Sequence, residues 1–395
     1  MATNVWCWGS DGYGRLGLGT EDRHKPVPTQ LTALNSVKLC ALRSGAAHVI
    51  ALDTEGGCYS WGKCHMGQLG HGEMDEDVHT PLIIKGLAGI KVKMVATGDS
   101  HVMVISEQGT LYSWGCGMYG CQGDGTERSC TTPRVVEALQ HHKVVMAAGG
   151  GFHSLAVTME GHLYTWGRDG NGQLCLPPYG TEQGPKPPVR LNKKVPTKVE
   201  LPAEVKLIAA CSNHSLVLLE GNTLLSFGNN EHSQLGRQMK PLGEGVSNHM
   251  SHGKELVVNY CQVLIEGDHM IATIATGWSH CAVATSNGDV ITWGSGSCGQ
   301  LGHGDTTSRN KPTMIERFTG ELSRPKVHQI ECGDEHNIAL TDTGEVWTWG
   351  NNYYNKLGLP VDGDHVSSPR KVLVKMEGVN HVSCGTNHCM AARLY

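Results

Sequence analysis

Histidine and cysteine offer most of the chemistry in this sequence. There are 22 histidines and 15 cysteines, side chains that ligate metals, act as nucleophiles or move protons near neutral pH. Their spacing argues against a metal centre. No C-x-x-C occurs, and the nearest groupings are Cys116 with Cys121 and Cys64 with His65 and His71. Both are looser than the close pairs that structural zinc wants. Catalytic signatures are missing too: there is no G-x-S-x-G, no P-loop and no H-E-x-x-H. The carboxylates are scattered rather than paired for acid–base work. The chain therefore reads as non-catalytic, without cofactor or metal.

Seven of the histidines share one setting, G-x-x-H (once C-x-x-H) followed by an apolar run: GAAHVIAL, GDSHVMVI, GGFHSLAV, CSNHSLVL, GWSHCAVA, GDEHNIAL and GTNHCMAA. They are His48, His101, His153, His214, His280, His336 and His388. Seven equivalent histidines cannot all be catalytic. A buried imidazole hydrogen-bonded to neighbouring backbone is the expected role.

What positions them is a repeat. Seven further segments align without gaps, among them VWCWGSDGYGRLG, LYSWGCGMYGCQG, LLSFGNNEHSQLG and VITWGSGSCGQLG. Their aromatics are Trp8, Trp61, Trp114, Trp166, Phe227, Trp293 and Trp349, followed nine residues later by Gly17, Gly70, Gly123, Cys175, Gly236, Gly302 and Gly358. From each of the first six histidines to the next aromatic is thirteen residues, with a glycine turn between. Each unit reads as a β-hairpin. The aromatics are expected to pack between units.

Composition agrees with a turn-rich β protein. Glycine makes up 52 of 395 residues, against a usual ~7%, and only 17% of residues are charged, with a formal net charge of −5. No apolar stretch approaches the ~18 residues of a membrane helix. The opening MATNVWCWGSDG lacks the basic start and apolar run of an export signal. The odd cysteine count fits reduced, buried thiols, and a cytoplasmic and/or nuclear location is expected.

The last unit ends with a strand, HCMAARLY, and the chain begins with its missing partner, VWCWG. Pairing of the two closes the array into a ring with no exposed sheet edge. The predicted fold is all-β: one seven-bladed β-propeller spanning 1–395, with four-stranded blades. Longer insertions fall at about 177–204 and 237–269. The first holds a basic cluster (Lys186, Arg190, Lys193, Lys194 and Lys198), and the acidic run EMDED lies at 73–77; both read as solvated loops.

The alternation of WG-x4-G-x-LG with G-x-x-H resembles the regulator of chromosome condensation family over nearly the whole chain. WD-repeat and kelch signatures are absent. The resemblance implies a seven-bladed propeller, known in three settings: the exchange factor for the GTPase Ran, modules of HERC-type ubiquitin ligases and other multidomain proteins, and the plant UV-B photoreceptor. Asp99 in GDSH matches an acidic residue through which the exchange factor meets its GTPase. Phe152 stands where that factor carries a second Asp. Its wedge-like insertion is replaced by the short CQGDGTERSCTTP, and its basic N-terminal tail is not seen before Val5. Light sensing requires clustered tryptophans in neighbouring signatures, and here only Trp278 is so placed.

The middle residues of G-x-x-H vary while the frame is constant, which marks them as a rim available for binding. Among these fourteen positions there is no Lys or Arg, while Asp99, Asp334 and Glu335 are acidic and Phe152 and Trp278 are large aromatics. The expected function is protein recruitment, as a scaffold or as a substrate- or regulator-recruiting module of a larger ubiquitin ligase or GTPase regulator. Phe152 and Trp278 would be anchors, and the three acids would face a basic partner segment. The alternative is nucleotide exchange on a Ran-like GTPase. A monomer is expected, with no membrane and no nucleic-acid partner.

Overall fold

The computed structural model describes residues 3–20, 22–177, 190–236, 248–251, 254–257, 260–318 and 324–395. Seven four-stranded antiparallel sheets surround a central channel. Blade 2, from inside out, is Leu39–Ser44, His48–Asp53, Cys58–Gly62 and Val78–Ile83. Blade 3 begins with Val92–Thr97, blade 4 with Val144–Gly149, blade 5 with Val205–Cys211, blade 6 with Ile271–Thr276 and blade 7 with Val327–Cys332. Blade 1 is composite: His381–Cys384 and His388–Arg393 come from one end of the chain, Asn4–Ser10 and His24–Gln30 from the other. Val5 pairs with Ala392 and Trp8 with Cys389, as the two half-hairpins require.

Position in the blade explains the character of each strand. The second strands, such as HVIALD and HVMVIS, are almost wholly buried, because neighbouring blades cover both faces. They read as continuous apolar runs rather than alternating ones. Outer strands are largely exposed, and six of the seven carry proline: Pro26 and Pro28, Pro81, Pro133, Pro196, Pro312 and Pro369. Proline removes a donor from the free edge and blocks pairing with another chain. Part of the basic segment expected as a loop is such an outer strand, Lys193–Val199. Here Arg190 pairs with Asp169 at 3.4 Å and Lys194 with Glu127 at 3.0 Å. Lys186 lies outside the described residues. Within the second long insertion, Asn248–Ser251 and Lys254–Val257 form a hairpin of their own.

The core is divided into seven apolar clusters, one at each seam between blades. All seven repeated aromatics are fully buried there. Trp61 Nε1 donates to Arg15 O of the preceding blade at 3.1 Å, and Trp114, Trp166, Trp293 and Trp349 do the same with Gln68, Cys121, Gln234 and Gln300. These five indoles satisfy their polar atom while burying the ring, whereas the Nε1 of Trp8 has no partner. The same packing explains the LG glycines. A Cβ added at Gly358 would lie 2.8 Å from Trp8 Nε1.

The G-x-x-H histidines are also completely buried. In the six copies with glycine the ring lies over that residue: a Cβ on Gly45 or Gly385 would stand 2.1 Å from the imidazole carbon of His48 or His388. Their expected backbone partners are replaced by side chains reached across the seam. Nε2 of His101 meets Ser154 Oγ at 2.8 Å, His153 meets Ser215 Oγ at 2.8 Å, His214 meets Cys281 Sγ at 3.3 Å and His280 meets Asn337 Oδ1 at 2.9 Å. The partner is the residue directly after the histidine of the next blade. For His48 and His388 that place holds Val102 and Val49, and their Nε2 atoms have no partner. Burial lowers the pKa of His48 and His153 to about 3 and of His101 and His280 to about 4. These imidazoles are neutral structural groups near pH 7.

Candidate functional site

The loops carrying G-x-x-H emerge on one face of the ring, beside the connections from each third strand to its outer strand. Lys63 N–H donates to Ala47 O, and Ser10 N–H to Asn387 O, tying the two kinds of loop together. The middle positions of the signature are not equivalent. Ala46, Asp99, Asp334 and Thr386, all in the first position, line the mouth of the central channel, which encloses about 250 Å³. Residues in the second position turn outward onto the neighbouring connection. Lys356 Nζ donates to Asn387 Oδ1 at 2.8 Å, Gln173 Nε2 to Asn213 Oδ1 at 3.2 Å and Asn351 Nδ2 to Glu335 Oε2 at 3.0 Å.

This division separates the residues singled out from the sequence. Asp99 of blade 3 and Asp334 of blade 7 both reach the channel mouth, and each is half-buried. Burial pushes the carboxyl of Asp99 up to about 6. Burial, with the charge of Asp99 adding to it, pushes Asp334 up to about 7. Glu335 points away and is half-buried against Asn351. Phe152 is also half-buried, its ring 5.4 Å from Tyr119 in an edge-on pair. Trp278 is 53% exposed, the only one of the fourteen middle residues with an open side chain. Its N–H donates to Asp334 O at 3.0 Å, which seats it beside the acidic mouth. Blade 5 separates Phe152 from Trp278, so the two aromatics do not form one patch.

The sequence reading passed over the residue seven positions after each aromatic. Arg15, Gln68, Gln173, Gln234, Gln300 and Lys356 hold it in six copies, and all are buried. The carbonyl oxygens of Gln68, Gln173, Gln234 and Gln300 accept turn N–H groups at 2.8–2.9 Å. Arg15 instead reaches Ala46 O at 3.4 Å. Burial lowers the pKa of both Arg15 and Lys356. These two cations belong to adjoining blades, 1 and 7, and near them Tyr13, Tyr353 and Tyr354 stand exposed. The aligned copies carry a legible signal: in five of the seven a polar residue is set before an apolar one and a glycine.

Among the described residues no helix is long and apolar enough to cross a membrane. Residues 131–393 match the RCC1-like domain, and residues 4–52 and 55–105 match the regulator of chromosome condensation (RCC1) repeat. The ultraviolet-B receptor UVR8 of Arabidopsis thaliana is 33% identical over 90% of this chain and 74% of its own length. The E3 ubiquitin-protein ligase HERC2 of Mus musculus is 32% identical over 93% of this chain, which spans only 7% of that protein. The crystal structure of Prp20p from Saccharomyces cerevisiae, described together with its binding to Gsp1p and histones, superposes with a TM-score of 0.82 at 23% identity. That superposition covers all of this chain and 92% of Prp20p. With the ring, the seam tryptophans and the G-x-x-H loops in place, the chain belongs to the family of RCC1-repeat propellers.

Proposed function

We propose that this propeller is a non-catalytic recruiting module whose G-x-x-H face captures a protein partner through a basic segment. The observation that carries the reading is Trp278: an exposed indole on a backbone tied to Asp334, at the edge of an acidic channel mouth. Tryptophan is among the commonest binding anchors, and acidic groups at a rim steer cationic partners. The small share of HERC2 matched by this chain supports a role as a module of a larger assembly; the location proposed with that role is cytoplasmic or nuclear.

The test is fluorescence anisotropy with Lys/Arg-rich peptides and charge-reversed controls. Trp278→Ala should weaken capture of the basic peptides by about 2 kcal/mol or more and leave the folding midpoint unchanged. Equal binding by the variant, or equal binding of acidic peptides, rejects the reading. Exchange on a Ran-like GTPase is the second reading, favoured by the placement of Asp99 at the mouth. Stopped-flow release of labelled GDP separates the two. Acceleration that is lost in Asp99→Asn supports exchange, and a flat trace supports recruitment alone.

A further inference from the structure

The seam between blades 7 and 1 differs chemically from the others. Elsewhere a histidine that has a partner meets one hydrogen-bonding side chain across the seam. His336 instead meets two sulfurs. Its Nε2 lies 3.5 Å from Cys384 Sγ, which lies 3.5 Å from Cys389 Sγ, and all three atoms fall within 4.8 Å of one another. Cys389 occupies the ordinary partner position, directly after His388. Cys384 is the cross-strand neighbour of Cys389 at the end of the inner strand. One sulfur would serve the hydrogen bond, so the second is surplus to that role.

The separations suit a tetrahedral ion. With zinc–sulfur bonds of about 2.3 Å and zinc–nitrogen bonds of about 2.05 Å, two thiolates stand about 3.8 Å apart and a thiolate and an imidazole nitrogen about 3.5 Å. Charge suits it as well. Zn²⁺ displaces one proton from each thiol, and two thiolates with a neutral imidazole then give a site of zero net charge, acceptable in a buried seam. His336 and Cys389 are fully enclosed, while Cys384 is 8% exposed and lines the central channel. An ion can arrive from the channel at Cys384. We propose that His336 Nε2, Cys384 Sγ and Cys389 Sγ form a zinc-binding site opening on the channel. Cys-x-x-Cys spacing is not needed, because closure of the ring supplies the third ligand from the neighbouring blade.

The sister blades provide gentle substitutions for the test. Cys384→Ser places the residue found at Ser44, and Cys389→Ser the residue found at Ser154. The full chain, reduced and metal-free, is titrated with Zn²⁺ against a chromophoric chelator and with Co²⁺ for its thiolate charge-transfer absorption. Wild type should bind one equivalent with that absorption. Either variant should bind on the order of 100-fold more weakly, while its metal-free folding midpoint stays within about 2 °C. Zinc affinity in the double variant equal to that of wild type would overturn the site. So would recovery of Cys384 and Cys389 as a disulfide from protein kept with zinc, which would make the pair a redox couple instead.

Discussion

Cys175, at φ +58, holds the place that glycine holds at the other six seams, and the seam aromatic of the next blade is Phe227, the single departure from tryptophan. Both lie in one apolar cluster. At the other seams a Cβ in this place would run into the indole at under 3 Å. The smaller phenyl ring leaves room for a side chain, and the two exceptions are one coupled change.

That coupling predicts a non-additive cycle. Phe227→Trp alone should destabilise the protein by about 1–3 kcal/mol through overpacking. Combined with Cys175→Gly, which also relieves a left-handed backbone, it should cost little. Urea denaturation of the two single variants and the double variant measures the interaction. Simple additivity would show that the two residues are independent.

The unpartnered Nε2 of His48 gives a second prediction. Val102→Ser supplies the hydroxyl that Ser154 offers to His101, and should leave stability unchanged or raise it by up to about 1 kcal/mol. Ser154→Val, which strands His101, should cost about 1–3 kcal/mol. Equal effects of the two changes on the unfolding midpoint would rule out a stabilising contribution from the cross-seam bond.

Ring closure can be tested at Trp8, which is fully buried where the two ends of the chain meet. Trp8→Ala should cost about 3–5 kcal/mol. Native-state hydrogen exchange should then show faster exchange first at Val5–Trp8 and Met390–Ala392, since that seam alone is weakened. Uniform loss of protection around the ring would contradict a local opening.

Asp99 predicts a pH dependence. Its folded pKa of about 6 stands above the unfolded value near 3.9, so folding holds its proton more tightly. The associated stability is complete below about pH 3.9 and is lost as pH rises through about 6. Asp99→Asn should therefore be the more stable protein at pH 8, by on the order of 1 kcal/mol given partial solvent screening, and no more stable than wild type at pH 4. Binding of a basic peptide should strengthen over the same rise in pH, as the carboxylate ionises. Thermal unfolding and anisotropy at the two pH values check both parts.

The architecture was legible because it rests on short-range rules repeated around the ring, the aromatic nine residues before a glycine and the histidine three residues after one in six copies of seven, and on complementary half-hairpins at the two ends. Each rule has a local cause, such as a ring packed on a backbone that cannot carry a Cβ, and so leaves a fixed spacing in the chain. What the spacing could not show was direction. Asp334 and Glu335 sit in the same variable loop, yet one faces the channel and the other lies against Asn351, because the two positions emerge on opposite sides of the loop. Nor could it show what meets across a seam. His336 and Cys389 are 53 residues apart and come together only because rotation from one blade to the next lays each histidine against its neighbour's second strand. The partners of buried groups are set by that rotation, a property of the closed ring and of no segment within it.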